Sequence, residues 1–465
     1  MLDQLVVTFY LACVLAIGLW SGRHVKSMEQ FAVAGRSFTS LVIFATLSAS
    51  FIGDGFSIGN AEKVYLFGIV NIFALWGFSL KEILVGTFIA PRMDRFRDVI
   101  SVGDIMKHDY GILGKVITGL FSLLLCAGIV GAQVGSMGIV FHVFLGMSPL
   151  LGILIGCGIV IAYTTIGGMR AIVLTDIVQF IVLAVAMPVT LLLGIRSVGG
   201  WDTLITAVPA VHLTIPGAGK TAIGFISLSL TFLLGETLVP PYVQRLYIGR
   251  NAGHTARGIL FSGIFSIPFF AVTGLIGLVA LVLNPQLDAN LSLPYVIREV
   301  LPAGIKGIVI AGVISIVMSS ADSFLNAASI ALTHDVVKPF ARNRIGPRQE
   351  LIIAKTTTLV VGILAVIFAL SIRSVLDILI FAYNFWAPVI LVPLTAALLG
   401  IHAGRRSFLA GASAGIAGTL IWNSTAAASD INGLVIGLFC NMVVFGLVAT
   451  VDHSRGHPAG TSQRE

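Results

Sequence analysis

The sequence predicts an all-α integral membrane protein with about 13 transmembrane helices. Of its 465 residues, 57% are hydrophobic and only 11% are charged, whereas a soluble globular protein carries about 25% charged residues. The apolar runs are continuous and long enough to cross a bilayer, which takes roughly 20 residues. Membrane barrels use alternating segments of about ten residues, so the pattern supports helices.

Thirteen apolar runs account for this prediction. They lie near residues 4–21, 40–59, 66–89, 112–144, 147–165, 172–195, 221–240, 257–283, 307–333, 351–371, 375–399, 407–424 and 431–450. The first run lacks a basic segment before it and a small-residue cleavage site after it, so we expect a retained helix. The four cysteines lie in these runs and show neither a disulfide framework nor metal-ligand spacing.

The distribution of basic residues predicts the orientation in the cell membrane. With the N-terminus outside, 21 of the 28 Lys and Arg fall in cytoplasmic segments, 6 fall in external segments, and Lys81 lies within a run. Positive segments stay in the cytoplasm, so we expect a multi-pass protein with its C-terminus inside. The net charge of +7 fits attraction to anionic membrane lipid and gives no sign of nucleic-acid binding.

Two runs look broken at comparable places. The second carries Gly53 and Gly55 near its middle, and the seventh carries Gly235-Glu236-Thr237 before Pro240-Pro241. Runs two to six and runs seven to eleven both begin with a broken helix, and five is odd, so the second set must be inverted. Paired broken helices mark secondary transporters with a site at the membrane midplane. Gly and Pro are also common in membrane helices, which is the simpler explanation.

This pattern predicts an inverted five-plus-five repeat whose first and sixth core helices are broken. The expected segments are 1–37 (an extra N-terminal helix and linker), 38–195 (core helices 1–5), 196–220 (an external loop), 221–400 (core helices 6–10), 401–450 (two peripheral helices) and 451–465 (a cytoplasmic tail). The chain has no phosphate-binding loop and no nucleophile–base arrangement, so neither an ATP-driven pump nor an enzyme is expected.

The run from 307 to 332 holds Asp322 as its only charged residue, beside Ser319, Ser320 and Ser323. An acid in hydrocarbon is costly unless it is paired, and hydroxyl and carboxylate oxygens suit a small hard cation. The alternative is that the serines bond back to carbonyls one turn earlier, which leaves the acid unpaired. The run therefore predicts an ion site.

The other acids in or beside the runs have open roles. Asp176 either caps a helix or handles an ion, and Asp54 and Glu236 either cap the broken half-helices or serve a solute or proton. Lys81 and Glu82 are adjacent and point about 100° apart on a helix, so we expect that they do not face each other; the sequence assigns them no role.

Two groups of polar residues allow either packing or solute binding. Tyr383, Asn384 and Trp386 interrupt the eleventh run, and Gln133 and Ser136 lie in the fourth. Both groups are therefore candidates for lining a solute site.

Several segments together resemble the sodium/solute symporters, the family of sodium–sugar, proline, pantothenate and sialic-acid carriers. The matching segments are Phe31 to Arg36, Ala49 to Gly55, Tyr163 to Gln179, Gln244-Arg245 and Met318 to Ser323. The resemblance covers roughly residues 5–400 and implies a fold of five plus five inverted helices coupled to sodium.

The resemblance also implies two ion positions. The main sodium ligands would be the carbonyls of Ala49, Ile52 and Ile316 with the hydroxyls of Ser319 and Ser320. Five oxygens without a carboxylate suit a weakly held monovalent ion. A second cation, present in some members, would be held by Asp176, Ser319, Asp322 and Ser323. Those members have a hydroxyl at the position of Asp322, so the acid here strengthens the site, shifts it towards protons, or forms an ion pair.

The solute does not follow from the resemblance. Sugar carriers have an Asn where this chain has Phe51, and an aromatic gate where it has Gly235-Glu236, which disfavours a hexose. We expect a small organic acid, amino acid or similar metabolite. The candidate solute-site residues are Phe51, Asp54, Gly55, Gln133, Glu236 and Asn384. The expected function is sodium-coupled import of a small-molecule solute by alternating access. Proton-coupled symport is the alternative, and a solute sensor is disfavoured by the short tail.

Overall fold

The computed structural model of the protein describes residues 2–341, 344–371, 386–425 and 430–454. Over these ranges the chain is helical, apart from loops and one parallel β-bridge between Phe38 and Gly249. Eight of the described helices are long and apolar enough to cross a membrane, and one bent pair gives a ninth. The all-helical membrane architecture is confirmed, and the number of 13 spans stays a prediction.

The described α-helices divide at the loop around residue 210. Before it lie α1 (Leu2–Gly22), α2 (Met28–Val33), α3 (Ser40–Phe51), α4 (Asp54–Phe67), α5 (Val70–Leu84), α6 (Val102–Leu145), α7 (Pro149–Ser197) and α8 (Trp201–Ala207). After it lie α9 (Ala222–Leu234), α10 (Pro240–Tyr247), α11 (Ala252–Leu283), α12 (Ser292–Val300), α13 (Ile305–Ile330), α14 (Lys338–Phe340), α15 (Pro347–Ser371), α16 (Val392–Leu399), α17 (Arg405–Thr425) and α18 (Gly433–Ser454).

The predicted break in the second run lies between α3 and α4, whose axes are bent by 54°. The Gly53 amide donates to the Phe51 carbonyl (2.7 Å), which frees the Ala49 carbonyl from its usual helical partner. A side chain at residue 53 would place its Cβ 2.9 Å from Ser320 Oγ. A larger residue here would displace the Ser320 hydroxyl, so glycine allows the close approach of α13.

The second predicted break separates α9 from α10. Residues 235–239 connect them, and α10 begins with Pro240, a residue that suits the first turn of a helix. The sequence pattern ended this run at residue 240 and so missed α10. The pattern failed there because α10 is short and polar, with Gln244 and Arg245 among its eight residues.

Helix α7 contains both the fifth and the sixth predicted runs. It bends at Gly168, whose φ of 49° lies in the left-handed region. A Cβ at this position would lie 2.5 Å from the carbonyl oxygen of Phe31. Because the bend comes at residue 168, Asp176 lies two turns inside the following segment.

Helix α13 forms the centre of the structure, since 94% of the residues in its apolar 18-residue stretch are buried. The extra helix α1 is fixed against it at two levels. The Asp3 carboxylate accepts hydrogen bonds from the amides of Gly304 (2.7 Å) and Gly307 (2.9 Å). Further along, Tyr10 and Ser315 hydrogen-bond through their hydroxyls. The serine-rich part of α13 is thereby held on a rigid support.

Candidate functional site

The serines of α13 point their hydroxyls at other helices. Ser319 Oγ donates to Asp176 Oδ1 on α7 (2.5 Å). Ser323 Oγ lies 3.1 Å from Ser50 Oγ on α3 and also donates to its neighbour Asp322 (3.1 Å). All of these side chains are buried. The alternative in which these serines bond back to carbonyls one turn earlier is therefore wrong.

Ser320 contacts the break between α3 and α4 directly. Its hydroxyl donates to the Ser50 carbonyl at 3.0 Å, and it is the atom closest to a Cβ built on Gly53. The helical spacing of Ser319 and Ser320 turns the two hydroxyls towards different neighbours. Together they bring α13 hydroxyls beside the carbonyl-rich end of α3, where Ala49 and Ile52 lie.

Asp176 is fully buried in the interior of α7. Its Oδ2 accepts hydrogen bonds from Thr46 Oγ1 and from Arg245 Nη2 (3.2 Å), while Oδ1 accepts from Ser319. The interpretation of Asp176 as a helix cap is therefore wrong, because the helical segment begins at the bend of Gly168, not at Thr175.

Arg245 has a role that sequence reasoning missed. It is fully buried, and its Nη2 donates to Ser50 Oγ (2.6 Å) and Ser323 Oγ (2.6 Å) as well as to Asp176. Nη1 donates to the Pro241 carbonyl (3.0 Å). The guanidinium therefore joins α10 to α3, α7 and α13. The available signal was a lone arginine in a proline-started segment directly after a broken helix.

Asp322 is fully buried and has no such cation among the described residues. Its Oδ2 accepts from the Tyr163 hydroxyl (2.5 Å) and its Oδ1 accepts from Ser323. In the described part of the chain, the ion pairs include Asp176 with Arg245 but none to Asp322. In their ionised forms the two carboxylates and one guanidinium leave one negative charge in excess. We call Asp176, Asp322 and Arg245, with the serines that contact them, the central site.

Asp54 is the first residue of α4 and is partly exposed. Its carboxylate accepts from Gln133 Nε2 (2.9 Å), the Gly55 amide (2.8 Å) and Ser136 Oγ. Gly55 is exposed, and a Cβ built on it meets no atom of the described residues within 4 Å. The structure thus brings three predicted solute-site residues, Asp54, Gly55 and Gln133, to an open face of the break.

A buried ion pair on α5 lies beside the second break. The sequence predicted that its two residues do not face each other. Lys81 Nζ lies 2.8 Å from Glu82 Oε1, so the expectation that they do not face each other is wrong. The four methylene groups of lysine let the ammonium group fold back over Phe78, 3.4 Å from its ring centroid. Lys81 also donates to the Glu236 carbonyl (3.3 Å), and the Glu236 carboxylate accepts from Tyr242 (2.8 Å).

The remaining candidates lie apart from the open face of the break or outside the described residues. Phe51 is 1% exposed and packs its ring against Phe78, with centroids 4.8 Å apart, so it lies behind the face that Asp54 presents. Tyr383 and Asn384 lie outside the described residues. Trp386 is fully buried and donates to a backbone carbonyl of the second break (3.4 Å).

A second group of charged residues lies beside a cleft of about 440 Å³. This peripheral charge cluster consists of Asp104, Lys115, His334, Asp335, Lys338 and Glu350. Lys115 Nζ lies 2.5 Å from Asp104 Oδ1 and 3.5 Å from Asp335 Oδ1. Asp104, His334 and Asp335 are near enough to share a metal ion, but the Lys115 ammonium group already supplies a cation there.

The model of the sodium:solute symporter family matches residues 31–418. This chain belongs to the sodium:solute symporter family. The resemblance inferred from the motifs is thus confirmed. The protein is a transporter and not an enzyme, and sodium is its co-transported ion.

Relatives of this symporter are known from animals and bacteria. It is 26% identical to the high-affinity choline transporter 1 of Caenorhabditis elegans, over 90% of this chain and 77% of that protein. It is 23% identical to the sodium/glucose cotransporter of Vibrio parahaemolyticus, over 79% and 74%. The match to the Drosophila melanogaster choline transporter spans 63% of that protein.

Solved structures show the same fold. A Na⁺-coupled sialic acid symporter superposes with a TM-score of 0.85 at 19% identity, covering 100% of this chain and 99% of the other. A nucleobase-cation-symport-1 family transporter superposes with a TM-score of 0.62 at 14% identity, covering 93% and 96%.

Proposed function

We propose that this symporter imports a small organic solute across the cell membrane together with sodium, by alternating access. The observation that carries the proposal is the contact of Ser320 with the broken helix. Its hydroxyl lies 3.0 Å from the Ser50 carbonyl, at the point where the backbone leaves helical geometry. Freed carbonyls beside hydroxyls are the ligands that a sodium ion needs when it sheds water.

The main sodium site in this proposal consists of five oxygens. They are the carbonyls of Ala49, Ile52 and Ile316 and the hydroxyls of Ser319 and Ser320. Sodium bound there would join α13 to the break and favour one state of the transporter, as a ligand does when it binds one conformation better than another.

The second cation position in this proposal uses Asp176, Asp322, Ser319 and Ser323. Arg245 neutralises one of the two carboxylates, and a bound cation would neutralise the other. This account explains why an acid is tolerated at residue 322 in a fully buried helix.

The proposed architecture keeps the predicted segments. It comprises about 13 transmembrane helices with the N-terminus outside, and the inverted repeats span 38–195 and 221–400. The breaks of α3–α4 and α9–α10 support this assignment, because each lies near the start of a proposed repeat. The names of the relatives include choline and glucose, which differ in charge, so they leave the solute open.

Sodium-dependent thermal stability of the purified protein tests the main site. We expect sodium to stabilise the protein more than potassium at equal ionic strength. Ser320→Ala should raise the sodium concentration at half-maximal effect about tenfold, the equivalent of about 1.4 kcal/mol of lost binding energy. Ser315→Ala is the matched control, since that hydroxyl is on the same helix but faces Tyr10. An equal response to both ions, or an unchanged midpoint in Ser320→Ala, would contradict the proposal.

Proton coupling is the second candidate, because Asp322 is a fully buried acid that has no ion pair among the described residues. Reconstituted vesicles separate the two candidates. Solute uptake driven by an inward sodium gradient at equal pH supports sodium coupling. Uptake driven by a pH gradient without sodium would replace it with proton coupling.

A further inference from the structure

Asp54 is an acid at the first break whose described partners are all neutral. Gln133, Ser136 and the Gly55 amide donate to its carboxylate. The ion pairs of the described residues include none to Asp54. Two other acids of the membrane core differ from Asp54, since Glu82 meets Lys81 and Asp176 meets Arg245. Asp54 therefore presents a negative charge that the described part of the chain leaves uncompensated.

Gln133 supplies a second and independent observation. Its side chain is 4% exposed, and Nε2 must be the atom that faces Asp54, because a carboxylate accepts and cannot donate to Oε1. Oε1 is then buried without a hydrogen-bond partner in the described structure. Buried polar atoms are almost always partnered, so this acceptor indicates a ligand that donates.

The helix end alone does not explain this arrangement. The N-terminus of α4 favours a negative charge and accounts for the bond from the Gly55 amide. It gives nothing to Gln133 Oε1, which lies on α6. A cap would also need no open space, whereas Gly55 is exposed and no atom from the described part of the chain lies within 4 Å of its Cβ position.

The two acceptors, the Asp54 carboxylate and Gln133 Oε1, lie beside the proposed sodium site. A Cβ on Gly53 would meet Ser320 Oγ at 2.9 Å and Gln133 Nε2 at 3.7 Å. Gly53 thus separates the hydroxyl assigned to sodium from the amide that holds Asp54. A solute bound at Asp54 would lie across Gly53 from the proposed sodium ligand Ser320.

We propose that the solute is a small organic cation whose ammonium group binds the Asp54 carboxylate, with Gln133 Oε1 accepting an N–H or O–H from it. This inference rests on the proposed function and names its substrate class. It disfavours the organic acid expected from the sequence, because a second carboxylate facing Asp54 would be repelled. Ser136 and Gln133 Nε2 act as positioning groups that hold the carboxylate towards the open face.

The test uses two probes of one shape and different charge. Choline and its neutral carbon analogue 3,3-dimethyl-1-butanol are added to the full-length protein in saturating sodium, with ethanolamine as a second cation and lactate as an anion. Binding is measured by calorimetry and by thermal stability. We expect a cationic probe to bind at least about tenfold more tightly than the neutral analogue and lactate.

Variants of Asp54 and Gln133 assign the preference to these residues. Asp54→Asn should abolish it, and Asp54→Glu should retain it in part. Gln133→Leu should weaken the binding of the cationic probe about tenfold. The sodium midpoint measured without solute is the control for folding, and in Asp54→Asn it should stay within about twofold of the parent value.

The outcomes distinguish this inference from the proposed function. Absence of any sodium effect in the parent protein counts against the proposed function. A normal sodium effect overturns this inference alone if neither cation binds, or if the neutral analogue or lactate binds as well as the cations. A sodium midpoint that rises in Asp54→Asn as much as in Ser320→Ala would make Asp54 an ion ligand and also overturn the inference.

Discussion

The central site and the peripheral charge cluster are both built from buried acids, but their charges are neutralised differently. In the peripheral cluster three carboxylates meet three basic side chains: Asp104, Asp335 and Glu350 with Lys115, Lys338 and His334. Nδ1 of His334 faces Glu350 (2.5 Å) and Nε2 faces Asp104 (3.1 Å). Only an imidazolium ring donates from both nitrogens, so charges of both signs balance.

In the central site, by contrast, the guanidinium of Arg245 pairs with Asp176, and Asp322 has no ion-pair partner among the described residues. One turn beyond Asp322, the buried amide of Asn326 has no hydrogen-bond partner among the described residues. A balanced cluster needs no ligand and serves to clamp α6, α15, α14 and the segment 331–337 together. An excess of charge beside unpartnered polar atoms indicates a site whose occupant comes and goes.

The largest expected effect comes from Asp176→Asn. This change leaves Arg245 buried without its carboxylate, which should lower the free energy of unfolding by about 3–5 kcal/mol. The double variant Asp176→Asn with Arg245→Met should recover most of that loss, since no unpaired charge remains. Denaturation of the purified variants in detergent measures both. An equally unstable double variant would show that the charge pair is not the cause.

Lys115→Met tests whether the peripheral cluster is purely structural. The change leaves Asp104 and Asp335 facing each other, and we expect a loss of about 3 kcal/mol of stability. Lys107→Met is the control, since Lys107 lines the same cleft but is exposed; it should cost less than about 0.5 kcal/mol. The sodium midpoint should not move in either variant. A raised sodium midpoint in Lys115→Met would show that the peripheral cluster affects sodium binding and is not purely structural.

A smaller effect is expected from Tyr163→Phe, which removes the donor to Asp322. A hydrogen bond to a charged group contributes about 2 kcal/mol, and its loss should also change the sodium midpoint. Tyr110→Phe removes a bond to the carbonyl of Pro393 (2.9 Å), worth about 1 kcal/mol. The two variants are compared by measuring thermal stability as a function of sodium concentration. If the sodium midpoint moves equally in both variants, Asp322 does not take part in ion binding.

The sequence predicted those parts of the site that depend on local patterns. Gly53 and Pro240 reveal the breaks because their backbone chemistry is local. The acid and serines of α13 are conspicuous because Asp322 is the only charged residue in that run.

The parts that it missed depend on contacts between distant helices. Arg245 reaches Asp176 across 69 positions, and no local pattern encodes that pairing. Asp176 resembles a cap only if a helix is assumed to begin beside it, whereas the backbone bends earlier, at Gly168. The peripheral cluster joins residues up to 230 positions apart, such as Asp104 and His334. In the sequence these residues look like the ordinary polar ends of apolar runs.

The central claim is that the unpaired carboxylate of Asp322 helps to hold the coupling cation, and Asp322→Asn tests it most directly. Removing the excess charge should make the sodium-free protein more stable, by about 1–3 kcal/mol. It should also raise the sodium midpoint of thermal stabilisation about tenfold. A variant whose sodium-free stability and sodium midpoint both match those of the parent protein would contradict the account.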